Sequence, residues 1–359
     1  LPLYVQSFEW VAALLSTFAR NDAGYTGFTI ARYGLCLAIM LPATFCAGMT
    51  LPLITRTLIA AGAGERAIGA VYAWNTLGSI LGVAFGGLVL LPMIGLKAML
   101  IVGAAIDMGI GAMLLARAAR VEGQSARFAP AAVFATAVLA LVAGFGVHLD
   151  QNLLASGVYR TGGLVAPGER EIAYYSDGRT ATVSASRTTG SNILTLATNG
   201  KPDASLTPVW FQRCDSVARP TPLMADAATQ TLLPLVTLAH QPRAASAAVI
   251  GEGSGMSSHL LLGSPSLKSL VTIEIEPKMI EGSRIFLPAN RRTFEDPRSE
   301  IVIDDAKSYF ASAHRRFDLI MSEPSNPWVS GVSGLFTTEF YGRVRQYLTG
   351  DGFFGQWLH

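Results

Sequence analysis

Residues 247–258 read A-A-V-I-G-E-G-S-G-M-S-S, a short apolar run followed by three closely spaced glycines. An apolar run of this length predicts a buried strand, and the glycines predict a tight turn that lets a ligand approach the backbone. About twenty residues later, S-L-V-T-I-E-I-E-P predicts a second strand that ends in Glu274 and Glu276. An acid at that distance is placed to accept hydrogen bonds from ribose hydroxyls. The stretch therefore favours a nucleoside-binding α/β domain over a plain structural turn.

Later segments of the chain continue this pattern. Residues 301–304, 317–322 and 352–357 predict further strands, and residues 337–348 predict a helix. Strands that alternate with helices are typical of a parallel sheet with helices on both faces, and ligands of such sheets bind at the carboxyl ends of the strands. The candidate site residues fall at those ends, and they are Gly251, Glu274, Asp305 and Glu323.

A smaller sheet is predicted before the glycine-rich stretch. Residues 171–177, 180–186 and 192–198 alternate as strands do, and Asp177-Gly178 is a hairpin signal. Asn199-Gly200-Lys201 predicts a turn, and residues 226–239 predict a helix. We therefore expect a small antiparallel β domain of about fifty residues before the α/β domain.

The first part of the chain is unusually apolar. Half of all residues are hydrophobic and 14% are charged, whereas about a quarter are charged in ordinary soluble domains. Stretches long enough to cross a bilayer are residues 33–54, 68–94, 98–115 and 128–147, with a doubtful one at 3–18. Buried helices of a soluble protein do not account for this length and repetition. We therefore expect an integral membrane domain in contact with a lipid bilayer.

The net charge and the spacing of cysteine and histidine residues argue against nucleic-acid-binding, disulfide-bonded and metal-binding classes of protein. The net charge of +2 is too small to indicate a nucleic-acid partner. The three cysteines lie far apart and the five histidines lack metal-ligand spacing, so neither disulfides nor a metal are expected. Glu9 and Asp107 lie inside apolar stretches and are compatible with a transport path, although isolated acids are more often packing contacts.

Several motifs carry a family resemblance. They are V-I-G-E-G-S-G, I-E-I-E-P, I-D-D-A and, most specifically, D-L-I-M-S-E-P-S-N-P followed by L-F-T-T-E-F-Y. With them, the sequence from about residue 150 onward resembles the spermidine synthase (polyamine aminopropyltransferase) family. G-M-T-L-P-L-I and Y-A-W-N-T-L-G-S in the apolar part resemble bacterial proteins that fuse a multi-span membrane domain to a spermidine synthase-like domain.

The resemblance implies transfer of an aminopropyl group from decarboxylated S-adenosylmethionine to a small-molecule amine, without a metal. It places Glu274 on the ribose hydroxyls, Asp305 on the adenine amino group, and Glu323 where the family has its catalytic aspartate. A carboxylate there can bind the ammonium of the acceptor and take its proton. The remaining cofactor-binding positions are Gly251, Gly253, Ser254, Gly255 and Gln230. The positions implied for the amine substrate are Asp226, Thr229 and Asn326.

Four positions depart from the family pattern. Ser254 stands where the family usually has an aspartate in its glycine-rich loop, and Asn326 replaces a second aspartate of the catalytic loop. Thr229 replaces a tyrosine, and Glu323 is one methylene longer than the aspartate expected there. Loss of the loop aspartate removes a repulsion against the carboxylate of ordinary S-adenosylmethionine.

The predicted architecture has three parts: an α-helical transmembrane bundle (1–148), a small antiparallel β domain (149–225) and an α/β methyltransferase-type Rossmann domain (226–359).

Because the chain starts at Leu1 and stops just after an apolar strand, we expect a fragment cut at both ends. We also expect a homodimer. The location predicted from the resemblance is the bacterial inner membrane. Loop arginines weakly place the catalytic domain outside, whereas supply of a cytosolic cofactor favours the cytoplasmic side.

Three functions stay open at this point. The first is a membrane-anchored spermidine synthase-like aminopropyltransferase. The second is another S-adenosylmethionine-dependent transferase, which moves a methyl or aminocarboxypropyl group, and Ser254 favours it. The third is a membrane transporter or sensor whose nucleoside-binding domain only binds, which Asp107 would favour.

Overall fold

The computed structural model describes residues 2–121, 128–212, 225–324 and 332–358. The chain divides into two compact units, Leu1–Leu164 and Val165–His359. The first unit is built from helices, and in its described part these are α1 (Pro2–Thr17), α2 (Asp22–Ala60), α3 (Arg66–Gly82), α4 (Leu91–Val121), α5 (Phe128–Leu141), α6 (Gln151–Leu154) and α7 (Val158–Thr161). Two π-helical segments, Val83–Leu90 and Val142–Gly146, follow α3 and α5.

The long apolar helices of this unit coincide with the predicted apolar stretches. In the described residues, two helical stretches, Asp22–Ala60 and Arg66–Arg117, are long and apolar enough to cross a membrane, by length and composition alone. Gly95 interrupts the second of them with a φ of 74° and a ψ of 168°. A left-handed φ of this kind suits glycine, and the break falls between residues 68–94 and 98–115, which the sequence predicts as separate spans.

The second unit begins with a four-stranded antiparallel sheet. Its strands are β1 (Arg170–Asp177), β2 (Thr182–Thr188), β3 (Leu194–Thr198) and β4 (Lys201–Leu206), in that spatial order. Three of the four strands are predicted from the sequence. Asn199 and Gly200 form the predicted turn, with φ values of 49° and 75° that are typical of a two-residue hairpin turn. The sequence misses β4 because this short edge strand is polar and contains Pro202.

A five-stranded parallel sheet follows, as predicted. Its strands are β5 (Ser246–Ile250), β6 (Ser269–Glu274), β7 (Ser299–Ile303), β8 (Phe317–Ser322) and β9 (Leu348–Gln356), in the order β7-β6-β5-β8-β9. Its helices are α8 (Ala225–His240), α9 (Met256–Leu261), α10 (Pro277–Ser283), α11 (Arg291–Glu295), α12 (Ala306–Ala313) and α13 (Thr338–Tyr347). Short 3₁₀ turns lie at Pro208–Phe211, Arg284–Phe286 and Ser333–Leu335.

Helices cover both faces of this sheet, which confirms the predicted fold class. Alternate side chains of a strand point to opposite faces. Ala247 and Val249 of β5 pack in one cluster with leucines of α8 and α9, and Ala248 and Ile250 pack in another with aromatic and aliphatic side chains of α12 and α13. Burial of each large apolar side chain stabilises such a layer by roughly 1.5–3 kcal/mol.

The strand order creates a crevice beside β5. The chain runs from β5 outward to β6 and β7, and then returns to the other side of β5 with β8 and β9. Connections that leave a strand in opposite directions open a crevice at the carboxyl ends of the two central strands. The turn after β5 and the loop after β8 therefore meet there, and the backbone N–H of Glu323 donates to the carbonyl of Ile250 at 3.2 Å.

Candidate functional site

The turn after β5 requires its three glycines. Gly251, Gly253 and Gly255 have φ values of 91°, 51° and 75°, which side chains rarely tolerate. A Cβ atom on Gly251 would lie 3.3 Å from the carbonyl oxygen of Glu323, and one on Gly255 would lie 2.7 Å from Oε1 of Glu252. The glycines therefore keep the backbone of residues 251–255, named here the glycine turn, close to the end of β8.

Glu274 fixes the glycine turn to the end of β6. Its Oε2 accepts from the backbone N–H of Glu252 at 3.0 Å, and its Oε1 accepts from the backbone N–H of Glu276 at 2.9 Å. Burial raises the pKa of Glu274, whose side chain is 7% exposed. The backbone N–H of Ile275 also hydrogen-bonds this carboxylate, and because a carboxylate has about four lone-pair positions, capacity for about one further donor remains.

Glu276, the second acid of the predicted strand, has a different position. It is 1% exposed, and its Oε2 accepts from the backbone N–H and the hydroxyl of Thr180, each at 2.7 Å. Its Oε1 accepts from the backbone N–H of Lys278 and so caps α10. Gly178 lies so close that a Cβ atom there would collide with this carboxylate. Glu276 therefore joins the β1–β2 turn to α10.

Asp305 follows β7 at the start of α12. Its Oδ1 accepts from the backbone N–H of Ser308 at 3.0 Å, so it caps that helix. Its own backbone N–H donates to Asp304 at 2.8 Å. Asp305 is half-buried, and it lies one strand further from β5 than Glu274 does.

Gln230 on α8 joins three elements through buried hydrogen bonds. Its Nε2 donates to the carbonyl oxygens of Ser205 on β4 and of Asp226, both at 3.2 Å. Its Oε1 accepts from the hydroxyl of Ser254 in the glycine turn. The amide group is 4% exposed and has partners on both sides, so it holds the glycine turn against α8 and β4.

Ser254 is held by the protein on several sides. Its carbonyl oxygen accepts from Nδ2 of Asn290 at 2.7 Å, and its hydroxyl oxygen accepts from the backbone N–H of Met256 at 3.3 Å. With the bond to Gln230, the side chain points into the protein and is 3% exposed. The turn therefore presents a neutral, inward-facing hydroxyl at the position where the resemblance leads one to expect an aspartate.

Glu323 lies directly after β8 and is the central acid of the crevice. Its Oε2 accepts from the hydroxyl of Ser257 at 2.7 Å. Burial, opposed by the Ser257 hydrogen bond and aided by the nearby carboxylate of Asp226, raises the pKa of Glu323 to about 7. Asp226 is in the first turn of α8, where its Oδ2 accepts from the hydroxyl of Ser205 at 2.6 Å. The charge of Asp226 therefore acts on the Glu323 carboxyl group, although the two residues are far apart in sequence.

Two predicted site residues remain, Thr229 and Asn326, and the structure describes the first of them. Thr229 is half-buried on α8, between Asp226 and Gln230. Asn326 lies outside the described residues. Within the ranges that the structure describes, no group of three or more His, Cys, Asp or Glu side chains forms a metal site.

Sequence reasoning assigned no role to Ser257 or Glu252. Ser257 contacts Glu323 from the first turn of α9. Glu252 is 5% exposed inside the glycine turn, and burial followed by the charge of Glu274 raises its pKa to about 8. An acid between two obligatory glycines was the signal available for Glu252, whereas the sequence offered none for Ser257.

Residues 226–356 match the family model described as "Spermine/spermidine synthase domain". A polyamine aminopropyltransferase of Bacillus subtilis (strain 168) is 34% identical over 106 residues, 30% of this chain and 38% of the relative. One from Thermoplasma volcanium is 32% identical over 122 residues, 34% of this chain and 43% of the relative. The chain thus spans about two fifths of the length of these curated relatives.

The solved structures that are similar include two spermidine synthases. One, in complex with the transition-state analogue AdoDATO, has a TM-score of 0.41 and 22% identity over 52% of this chain and 57% of its own. The spermidine synthase from Thermotoga maritima has the same TM-score and identity, over 52% of this chain and 56% of its own.

Proposed function

Because residues 226–356 form a domain of the spermine/spermidine synthase family, we propose that this chain transfers an aminopropyl group from decarboxylated S-adenosylmethionine to a polyamine acceptor. The observation that carries the proposal is the half-buried Glu323 carboxyl group. It lies at the carboxyl ends of the paired strands β5 and β8, beside the glycine turn and within electrostatic reach of Asp226.

The donor is proposed to bind along the carboxyl ends of β5, β6 and β7. Gly251 and Gly255 let the turn pack against Glu323 and Glu252, and the space beside Gly253, where a Cβ atom would meet nothing nearer than 4.0 Å, is proposed to receive the sulfonium end of the donor. Glu274 has acceptor capacity left for a ribose hydroxyl after its three bonds to backbone N–H groups. Asp305 at the end of the next strand is proposed to face the adenine amino group.

The acceptor is proposed to bind between α8 and the loop after β8. A polyamine is a multiple cation, and the charge of Asp226 reaches the Glu323 carboxyl group. Opposite charges attract more strongly where water is partly excluded, and Glu323 is half-buried at the carboxyl end of β8. Thr229 and Asn326 are proposed as further contacts with the acceptor on the strength of the resemblance.

The reaction is a displacement at carbon. The neutral amine nitrogen forms a bond to the aminopropyl carbon, while the carbon–sulfur bond breaks and its electron pair returns to sulfur. The sulfonium becomes the neutral thioether methylthioadenosine, and the amine proton passes to Glu323. A base with a pKa near the working pH suits this task, and burial brings the pKa of Glu323 to about 7. Holding both reactants in contact supplies much of the remaining acceleration.

A second transferase function is favoured by one observation. Ser254 is neutral and its hydroxyl points to Gln230, so the glycine turn offers no carboxylate for the free amine of a decarboxylated donor. Ordinary S-adenosylmethionine, which carries a carboxylate, would meet less repulsion there. The alternative reaction therefore transfers a methyl or aminocarboxypropyl group on the same fold.

The first unit is proposed to anchor the protein in the bacterial inner membrane. In support, the most apolar windows of its two long helical stretches contain no buried residue, unlike the core helix of a soluble protein. Large exposed apolar surfaces mark contact with a membrane or another protein. Supply of the donor favours the cytoplasmic side for the α/β part, and a homodimer stays a prediction.

Product analysis tests the proposed function. The full-length chain is incubated with decarboxylated S-adenosylmethionine and a panel of diamines, and separately with S-adenosylmethionine, and the nucleoside products are identified by mass spectrometry. We expect amine-dependent release of methylthioadenosine from the decarboxylated donor. Release of adenosylhomocysteine from S-adenosylmethionine would favour methyl transfer instead, and absence of any product would favour a binding protein.

A further inference from the structure

Ser257 is a buried residue that contacts the half-buried Glu323. It is the second residue of α9, and its side chain is 4% exposed. Its hydroxyl oxygen lies 2.7 Å from Oε2 of Glu323 and 3.4 Å from the backbone carbonyl oxygen of Gln230. The same hydroxyl group therefore has two acceptors within reach, one on the loop after β8 and one on α8.

A serine hydroxyl has one proton to donate and two lone pairs with which to accept. When Glu323 is ionised, the hydroxyl donates to Oε2, because a hydrogen bond to a charged acceptor is the stronger of the two. When Glu323 is protonated, the carboxylic acid becomes the donor and the hydroxyl oxygen accepts. The serine proton can then turn to the carbonyl oxygen of Gln230. Both protonation states of Glu323 are satisfied without movement of a heavy atom.

We propose that Ser257 is a positioning residue for proton transfer, whose hydroxyl reverses its hydrogen bond as Glu323 takes up and releases the acceptor's proton. The inference rests on the proposed function of Glu323 as the base. This reversal keeps the Glu323 carboxyl group in one orientation throughout the reaction. Without Ser257, the buried ionised state would lose a partner and the group would be harder to ionise.

The neighbours of Glu323 differ in whether they favour or oppose ionisation of its carboxyl group. Within the described residues, α8 faces it with the carboxylate of Asp226, which opposes ionisation. The glycine turn faces it with the backbone of Gly251. The titratable residue of α9, His259, accepts from the backbone N–H of Arg292 instead. The Ser257 hydroxyl is thus the contact from α9 that favours the charged form.

Ser258 is a matched control on the same helix. It is also buried, at 1% exposure, and its hydroxyl lies 2.8 Å from that of Thr272 on β6. Ser257→Ala and Ser258→Ala each remove one buried hydroxyl from α9. The first leaves the Glu323 carboxyl without its α9 partner, and Ser257→Thr keeps a hydroxyl at that position.

The test combines two measurements on the full-length chain. The first is the pH dependence of kcat for aminopropyl transfer. The second is an infrared titration of the carboxylic acid C=O band that disappears in Glu323→Gln, which needs no turnover. For Ser257→Ala we expect both midpoints to rise by about one pH unit, a kcat reduced about tenfold below neutrality and an almost unchanged KM for the donor. Ser257→Thr should restore the parental midpoints and Ser258→Ala should keep them.

Unchanged midpoints in Ser257→Ala, or an equal shift in Ser258→Ala, would overturn the inference. The failure of the proposed function looks different. If Glu323→Gln transfers the group as fast as the parent, Glu323 is not the base, and the infrared titration still decides whether Ser257 controls its ionisation.

Discussion

The backbone N–H of Glu252 donates to Oε2 of Glu274 across 3.0 Å, so a residue inside the glycine turn is bonded to the acid at the end of the neighbouring strand. The two residues come from the ends of β5 and β6, which pair in parallel. This bond sets the distance between the turn and the carboxylate proposed to hold the ribose. The carboxylate is oriented before any ligand arrives, which lowers the cost of ordering it on binding.

We predict that Glu274→Gln weakens binding of the nucleoside part of the donor. The amide retains one acceptor oxygen but loses the charge, and each hydrogen bond to a charged group contributes roughly 1.5–3 kcal/mol. Isothermal calorimetry with methylthioadenosine measures the loss. Glu300→Gln, on the exposed side of β7, is the control and should bind normally. An unchanged affinity in Glu274→Gln would remove Glu274 from the ribose site.

Substitution of Glu323 should affect turnover rather than donor binding. Glu323→Gln keeps the shape and can still accept from Ser257, but it cannot take a proton. We expect kcat to fall by about 10²–10⁴-fold with little change in donor affinity. Single-turnover release of methylthioadenosine measures this, with the fully exposed Glu339→Gln as control. Glu323→Asp, which shortens the reach by one methylene, should also be impaired if the pocket fits glutamate.

The pH dependence of the parent should report the ionisation of Glu323. Burial raises the pKa of this carboxyl group to about 7, so the fraction able to accept a proton falls about tenfold for each pH unit below that value. We therefore expect kcat at saturating substrates to rise with pH up to about neutrality and then to level. In Glu323→Gln the levelling near neutrality should be lost, because the rate then keeps rising with pH as more of the acceptor amine becomes neutral. A parental profile that is flat through the same range would contradict the assignment.

Stability should fall as the pH rises because of Glu252. Burial and the charge of Glu274 raise the pKa of Glu252 from 4.5 to about 8 in the folded protein. Between these values the folded state holds a proton that the unfolded chain has lost. The contribution of Glu252 to the free energy of unfolding is therefore most favourable below pH 4.5. It decreases up to about pH 8, by at most about 1.4 kcal/mol per pH unit.

Thermal melts of Glu252→Gln at several pH values test this prediction. The variant has no proton to lose, so its melting temperature should change less between about pH 5 and 8 than that of the parent. Glu295→Gln, an exposed substitution on α11, should keep the parental slope. An equal slope in parent and Glu252→Gln would show that Glu252 is not the source of the dependence.

The first unit should require lipid or detergent. Its two long helical stretches expose apolar side chains along their most apolar windows. We expect the full-length chain to stay with the membrane fraction after a high-salt or carbonate wash and to enter solution only with detergent. Release by the wash would contradict the membrane assignment, and peripheral attachment would then explain the apolar surface.

Strand ends could be predicted because they depend on local pattern. Apolar runs bounded by glycine or acidic residues predicted the ends of four successive strands. In the structure Glu274 is the last residue of its strand, and the other three positions follow theirs: Gly251, Asp305 and Glu323. The alternation of strands and helices likewise gave the parallel sheet. The hairpin turn at Asn199-Gly200 was predicted, but the polar edge strand β4 after it was not.

Contacts between side chains from distant elements could not be predicted. The hydrogen bond between Ser257 and Glu323 joins the start of α9 to the end of β8, which are far apart in sequence. Gln230 reaches Ser205 and Ser254 in the same way. Periodicity determines which face of an element is buried, but the partner of a buried polar group depends on tertiary packing. The roles of Ser257 and Glu252 therefore became visible only in the structure.

Glu276 also has a consequence for the cooperativity of folding. One carboxylate accepts from the β1–β2 turn at Thr180 and Ala181 and simultaneously caps α10. We expect the amide protons of that turn and those at the start of α10 to show similar protection in hydrogen exchange, because one buried carboxylate holds both segments. The small antiparallel sheet and the start of α10 should then open together more often than two segments that fray independently.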